Sequence, residues 1–397
     1  MNPLNNAPNL RHLAAAIEVK RQGSINRAAS QIHLTQSALT QAMKKLEASL
    51  GFKLFDRASV GLFPTEQGVI YLDRVERAIE HLTAIEKHLQ NQRSSKRTPI
   101  YRQLTTTQLR AFICVVEEES YTLAARRLGQ TQPTVHRAVK EMEAICGQTF
   151  FRRAPNGVEP SWQARLVVRH INLFFSELSQ GLEEVSEHGG ILRGTLRVGS
   201  LPLSRTEMVP KAVVQLLKEF HKAQVSIIDG PYEEQLSALL NGRIDMIVGA
   251  LRDPLPSPDV VQEFLFQDPL HLVVRPSHPL ATAPSSTAKE LRELEWVAPK
   301  ENTPAREAFT RFFTSQDLEP PEHIVECSSL VAIRGILLES DRVALLPAQQ
   351  VQLEVDLGLL AVSPQTLPGT SRKIGLTFRA NYSPTKVQRR FIELIKH

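Results

Sequence analysis

The chain repeats itself. Laid without gaps at an offset of about 96 residues, positions 13–68 and 109–164 agree at about 20 of 56 places. The matches cluster. Ser24, Ala28 and Ala29 meet Ser120, Ala124 and Ala125, and Thr35-Gln36 meets Thr131-Gln132. Lys44, Glu47, Ala48 and Gly51 meet Lys140, Glu143, Ala144 and Gly147, and Phe55, Arg57, Gly61 and Pro64 meet Phe151, Arg153, Gly157 and Pro160. Solenoid units recur every 20–50 residues or so, so an offset this long marks a duplicated domain. Any fold for this chain must hold one small structure twice, over 8–68 and 105–164, before a different second half begins.

Each copy reads as three helices and a hairpin. A first helix (10–21, 106–118) ends before a small-residue segment, SINRAASQIHL or SYTLAARRLGQ. The paired alanines there form helix without bulk and admit a close neighbour. Thr35 and Thr131 then stand where an N-cap belongs, and Pro133 sits just inside the second copy's helix, where a missing N–H costs least. Leu39, Met43, Leu46 and Leu50 recur at three- and four-residue steps, leaving Ser37, Thr40, Gln41, Lys44 and Lys45 on the other faces. A glycine stops each helix, and FDRASVGLFPT or FRRAPNGVEPS follows as a short hairpin, a wing. This is the order of a winged helix-turn-helix unit, whose last helix reaches base edges in the major groove with its N-terminal polar residues.

The pattern AA..L..TQSALT, LE..LGFKLFDR and PTEQG resembles the DNA-binding domain of LysR-type transcription regulators, and the second copy follows it nearly as well. The resemblance implies base contacts by Gln36, Ser37, Thr40 and Gln41 and a phosphate contact by Arg57 in the wing. The matching positions of the second copy are Gln132, Pro133, His136, Arg137 and Arg153. Lys44, Lys45, Lys140 and Arg152 add positive charge to the same faces. The copies also depart from the family pattern. Ser37 replaces the usual proline, the wing ASVGLF lacks a further arginine, and Trp162 and Ala164 stand where an acidic residue and a glycine are usual.

Behind each wing a long helix is expected, over 69–91 and 165–188. After Thr65, a candidate N-cap, Leu72, Val75, Ile79, Leu82 and Leu89 fall at heptad-like steps. After Ser161, the residues Ile171, Phe175, Leu178, Leu182 and Val185 repeat at four, three, four, three. Such a seam needs a partner helix, from a second chain or from the same one. The resemblance implies the first: a coiled-coil linker that builds a homodimer or homotetramer through Ile171, Phe175, Leu178, Leu182 and Val185. Residues 92–104, which carry most of the stretch NQRSSKRTP, read as an exposed, flexible connector.

From 193 to 397 strands alternate with helices in the grammar of a wound α/β sheet, run through twice. Two lobes of this kind resemble the periplasmic-binding-protein-like (type II) effector domain of LysR-type regulators. The stretch IIDGPYEEQLSALLNGRIDMIVGALRDP is similar to the galactose-binding-protein regulator branch. Ligands of such sheets sit where strands end and helices begin. The resemblance nominates Ser200, Leu203, Ser204, Tyr232, Ala250, Arg252, Thr303, Arg306, Ser328 and Ser329 around a small effector. Two arginines favour an anionic or polyhydroxylated one. Cys327, with no second cysteine in the domain, reads as a buried structural thiol.

The fold expected is therefore multidomain: two all-α winged helix-turn-helix domains with coiled-coil linker helices, then a two-lobed α/β effector domain. Charge fits this division. Residues 1–190 hold about 24 Lys and Arg against 18 Asp and Glu, and the remainder is nearly balanced. Three cysteines without CxxC spacing give neither a disulfide framework nor a zinc site. The start MNPLNNAPNLRH has no apolar signal region, and no apolar run approaches the roughly 20 residues that span a bilayer, so a cytoplasmic protein is expected. No GxSxG, HExxH, GxGxxG or Walker-type run is present, so neither enzymatic activity nor a cofactor is expected. The partners expected are double-stranded promoter DNA, a small metabolite and further copies of the chain.

Overall fold

The computed structural model describes residues 7–58, 61–89, 99–189, 193–282 and 285–396. It divides into two compact units, Met1–Gly194 with Asn241–Arg243 and Thr195–Leu240 with Ile244–His397.

The first unit holds the duplicated half. Copy one runs α1 (Leu10–Gln22), α2 (Ile25–Gln31), α3 (Gln36–Leu50), the hairpin β1 (Phe55–Ala58) and β2 (Gly61–Pro64), then α4 (Glu66–Leu89). After a single turn, α5 (Ile100–Gln103), copy two runs α6 (Thr106–Glu118), α7 (Tyr121–Leu128), α8 (Gln132–Cys146), β3 (Phe151–Ala154), β4 (Gly157–Pro160) and α9 (Trp162–His188). The repeat extends to single hydrogen bonds. Glu47 Oε1 accepts from Leu54 N–H at 2.8 Å, and Glu143 Oε1 accepts from Phe150 N–H at 2.7 Å. Each wing also hangs on the turn after the first helix, Leu62 N–H donating to the Gly23 carbonyl and Val158 N–H to that of Glu119. That closeness dictates glycine at both wing tips: a Cβ on Gly61 would lie 2.8 Å from the Gly23 oxygen, and one on Gly157 2.2 Å from the Glu119 oxygen. Both glycines also have positive φ, at 152° and 154°.

The linker helices α4 and α9 pack against each other, antiparallel, along their length. Glu66 meets His188, Arg74 meets Glu177, Gln180 and Glu184, and His88 stacks on His170. Tyr71, Leu72, Val75, Leu82 and Ile85 share one core with Ile171, Phe174, Phe175, Leu178 and Val185, all buried. This corrects the expected two-chain seam. Ile171, Phe175, Leu178 and Val185 are consumed within one chain, and only Leu182, 37% exposed, lies at the margin. The physical reason is supply: the duplication provides a second apolar helix in the same chain, already tethered, so burial needs no second molecule.

The pairing is reciprocal. Moving Arg74 by the repeat offset gives His170, and moving His81 and His88 gives Glu177 and Glu184. Arg74 bonds Glu177 and Glu184, while the His170 ring lies 6.4 Å from His81 and 5.2 Å from His88. Each copy thus touches the other with the same positions and exchanged roles, as a two-fold relation requires. One end carries a buried guanidinium with two carboxylates; the other carries three imidazoles.

Residues 92–98 of the expected connector lie outside the described residues. Its end is not an exposed loop: Ile100 and Leu104 are buried, because α5 seats them in the core of the unit. Thr131 occupies the N-cap position of α8 without capping it through its side chain, which pairs instead with the Thr134 hydroxyl at 2.7 Å.

The second unit has two five-stranded sheets of like construction. In the first, β5 (Thr195–Ser200) lies parallel between β6 (Gln224–Ile228) and β7 (Met246–Ala250); β14 (Arg372–Arg379) follows antiparallel, and β8 (Val260–Asp268) closes the edge. In the second, β10 (Trp296–Ala298) lies parallel between β11 (Ile324–Glu326) and β12 (Val343–Pro347), and β9 (Leu270–Val274) and β13 (Ala361–Val362) continue antiparallel. Helices cover both faces. Trp296 meets Phe309 and Phe313 edge-on in one core, while Leu196, Val198, Leu376 and Phe391 fill another. The chain crosses between the sheets at β8 into β9 and returns into β14. At that crossing Asp268 and Arg372 stand opposite each other and form a largely buried ion pair. Among the described residues, no helix is long and apolar enough to cross a membrane.

Candidate functional site

Two surfaces carry chemistry. The first is the pair of helices α3 and α8. Thr35 caps α3, accepting from Ala38 N–H at 3.2 Å, so the polar first turn projects beyond the three-helix core. Gln36, Ser37, Gln41, Lys44, Lys45 and Arg57 are exposed; Thr40 is half-buried, its hydroxyl donating to the Gln36 carbonyl at 2.8 Å. The opposite face, Leu39, Met43 and Leu46, is buried. The same split holds in α8: Gln132, Pro133, His136, Arg137 and Lys140 face solvent with Arg152 and Arg153 of the wing, over buried Val135, Val139 and Met142.

The two faces differ electrostatically. Arg137 Nε donates to Glu141 at 2.8 Å, and together with Gln108 it holds the Glu141 carboxyl below the usual range. Lys140 pairs with Glu143 at 2.6 Å. Lys44 and Lys45 make no ion pair among the described residues. On α3 Lys44 and Lys45 are thus left to phosphate, while on α8 Arg137 and Lys140 each share a carboxylate and the wing's Arg152 and Arg153 carry the exposed charge. His136 packs edge-on against Tyr121, with ring centroids 5.0 Å apart.

The second surface is a cavity of about 470 Å³ between the two sheets of the second unit. Of the residues the sequence nominates, Leu203, Tyr232, Ala250, Arg252, Thr303 and Ser328 line it. Four do not. Ser200 and Ser204 are fully buried beneath the wall, where they bond each other at 2.9 Å and Ser204 donates to the Val248 carbonyl at 2.8 Å. Arg306 turns away, donating to the Pro299 carbonyl and facing Glu301 and Glu326. Ser329 precedes the helix Leu330–Leu338 outside the lining. Ser204 and Arg306 spend their polar groups on backbone carbonyls and Ser200 bonds Ser204, while Ser329 heads its helix without a side-chain cap bond.

The cavity also takes in residues that the sequence reading passed over. Arg372 arrives from β14, far along the chain, and Lys300 and Arg205 come from the loop before Thr303 and from the turn after β5. Cys327 lines the cavity half-exposed, its thiol directed at the Ser329 carbonyl at 3.7 Å; it is not the buried thiol expected. The charge pattern is uneven. Arg372 is neutralised by Asp268, and Arg205 donates to the Ser200 carbonyl near Asp229. The Arg252 guanidinium carbon sits over the Tyr232 ring, 4.1 Å from its centroid, and forms no ion pair with a carboxylate among the described residues. Burial pulls its pKa down from the ordinary arginine value. Burial likewise pushes the Tyr232 phenol up, against the opposing pull of Arg252. Glu233 and Glu307 act on it through space without pairing, so this partly dehydrated guanidinium retains the capacity to bind an anion.

Comparison with known proteins matches each part. The family model described as bacterial regulatory helix-turn-helix protein, lysR family, matches residues 10–69 and again 106–165. The model for the LysR substrate binding domain matches 189–397. The chain is 32% identical to the HTH-type transcriptional regulator GalR of Pseudomonas putida, over 94% of this chain and 93% of that protein. It is 27% identical to the HTH-type transcriptional regulator PcaQ of Agrobacterium fabrum, over 70% of this chain and 89% of that one. Among solved structures, a full-length cysteine-to-aspartate variant of OxyR from Pseudomonas aeruginosa shares the fold with a TM-score of 0.57 and 23% identity, covering 73% of this chain and 97% of its own. CbnR, a LysR family transcriptional regulator, does so at 0.51 and 20%, with the same coverage.

Proposed function

This chain belongs to the LysR family of DNA-binding transcription regulators with an effector domain, and on that premise we propose which of its surfaces do the work. Promoter DNA meets α3 through Gln36, Ser37, Thr40, Gln41, Lys44, Lys45 and Arg57, and meets α8 through Gln132, Pro133, His136, Arg137, Lys140, Arg152 and Arg153. A small anion binds between the lobes of the second unit and modulates that contact. The chains assemble into homodimers or homotetramers through surfaces other than the seam between α4 and α9, and they act in the cytoplasm, where the DNA is. Catalysis has no part in this reading; the relatives are named as transcriptional regulators.

The observation that carries the proposal is the exposure of two polar helix starts, each held off a three-helix core with its wing beside it. Replacing Gln36 by alanine is expected to cost about 1–3 kcal/mol of discrimination at one base pair, since glutamine reads adenine through a bidentate contact. Replacing Lys44 should weaken all sequences alike and flatten the dependence on salt. Competition binding to systematically varied duplexes measures both; unchanged base preference in the Gln36→Ala protein removes α3 from the groove. For the cavity, thermal shift with small carboxylates and phosphates should find a stabiliser, a ligand at 100 times its Kd adding about 2.7 kcal/mol.

A further inference from the structure

The two reading helices belong to one chain, related by a reciprocal pairing of their linker helices, yet they do not present the same residues. Resting on the DNA-binding reading above, we infer that a single chain is the recognition unit, and that its operator is an inverted pair of half-sites with unequal sequences.

Three observations lead there. First, the relation between the copies is of the two-fold kind: Arg74 reaches Glu177 and Glu184 as His170 reaches His81 and His88. Two heads related in that way read opposite strands, so their half-sites are inverted. Second, the apolar seam that a second chain would need is filled by the chain's own helix, with Leu72, Val75, Leu82, Phe175 and Leu178 at most 3% exposed. Among the described residues of the seam only Leu182, 37% exposed, is left at the surface, too little to pair two identical heads. Third, the reading faces differ where bases are met. Gln36 and Gln132 occupy one position and select the same base, but Thr40 and Gln41 are answered by His136 and Arg137. Arginine, here bonded to Glu141 through Nε with its other nitrogens turned outward from that bond, suits the paired acceptors of guanine, whereas glutamine suits adenine. One arm of the operator is therefore guanine-selective at a step where the other is not.

The consequence is polarity. A palindrome read by two equal heads has no direction, but an unequal pair fixes which end of the chain faces which end of the operator.

Selection of binding sequences from randomised duplexes by the full chain tests this, run in parallel with Gln41→Ala and Arg137→Ala proteins. The expected consensus has two inverted arms of different sequence. Arg137→Ala should lower the preference for guanine about tenfold in one arm and leave the other unchanged, and Gln41→Ala should relax only the other arm. A palindromic consensus, loosened in both arms by Gln41→Ala and untouched by Arg137→Ala, would mean that two chains pair their first copies; the inference then falls while specific DNA binding stands. No consensus at all would overturn the underlying reading itself. Circular dichroism of each variant, expected to match the unsubstituted chain because both side chains are exposed, separates lost reading from lost folding.

Discussion

Replacing Arg74 by alanine is expected to destabilise the duplicated unit by about 3–5 kcal/mol. The guanidinium is only 4% exposed and bonds Glu177 at 2.8 Å, Gln180 at 2.9 Å and Glu184 through two nitrogens. Removing it leaves Glu177, itself 11% exposed, as a buried carboxylate with its charge uncompensated. That desolvation, more than the lost attraction, sets the size of the effect. A lysine in place of Arg74 should recover only part of it, because one ammonium cannot reach both carboxylates in the forked geometry. Urea unfolding followed by helical circular dichroism measures the loss. The fluorescence of Trp296, fully buried in the other unit, should keep its midpoint in a Trp162→Phe background. Sedimentation should show no fall in mass that a broken two-chain seam would produce. A shift below about 1 kcal/mol would mean that the ion pairs are not what holds α4 to α9 in register.

The second large effect is expected at Arg252. Its truncation to alanine should weaken an anionic effector by about 3 kcal/mol, or more than a hundredfold in Kd. The guanidinium faces the cavity over the Tyr232 ring and has no ion-pair partner among the described residues, so it is positioned for a ligand before one arrives. Arg252→Lys should keep the charge and lose the guanidinium's fork and its contact with the Tyr232 ring, and so give an intermediate loss. Isothermal titration with whichever carboxylate or phosphate stabilises the chain reads the difference. Equal affinity in the alanine protein would place the effector on Lys300 and the start of the helix Pro304–Thr314 instead.

How much of this could be read from the sequence differs by level. The repeat, the apolar steps of α3 and α8, the glycine stops and the wings are local patterns. The helices and hairpins fall within a few residues of where those patterns place them. The α/β alternation of the second unit was legible for the same reason, although the short strand Ala361–Val362 carried too little pattern to be seen. What the sequence left open was partnership. Heptad-like steps in Leu72–Leu89 and Ile171–Val185 state that an apolar face will be covered, and not by which chain. The cavity shows the same limit. Tyr232, Ala250, Arg252 and Thr303 line it as the resemblance implied. Arg372 was not legible, since its place beside them depends on β14 returning to the first sheet from the far end of the chain. Ser200 and Ser204 failed in the other direction: a hydroxyl at a strand end looks the same in sequence whether it faces a ligand or a carbonyl.

The reciprocal pairing of Arg74 and His170 has a consequence for heredity. In a pair built from two identical chains, every codon of the linker helix is expressed on both sides of the two-fold, so each substitution is imposed twice and must be tolerated twice. Fusion lifts that constraint. A guanidinium between carboxylates at one end and a cluster of imidazoles at the other could not be encoded by one helix pairing with itself. With two genetic copies of each position, one half can drift toward a new operator arm while its sibling keeps the old one.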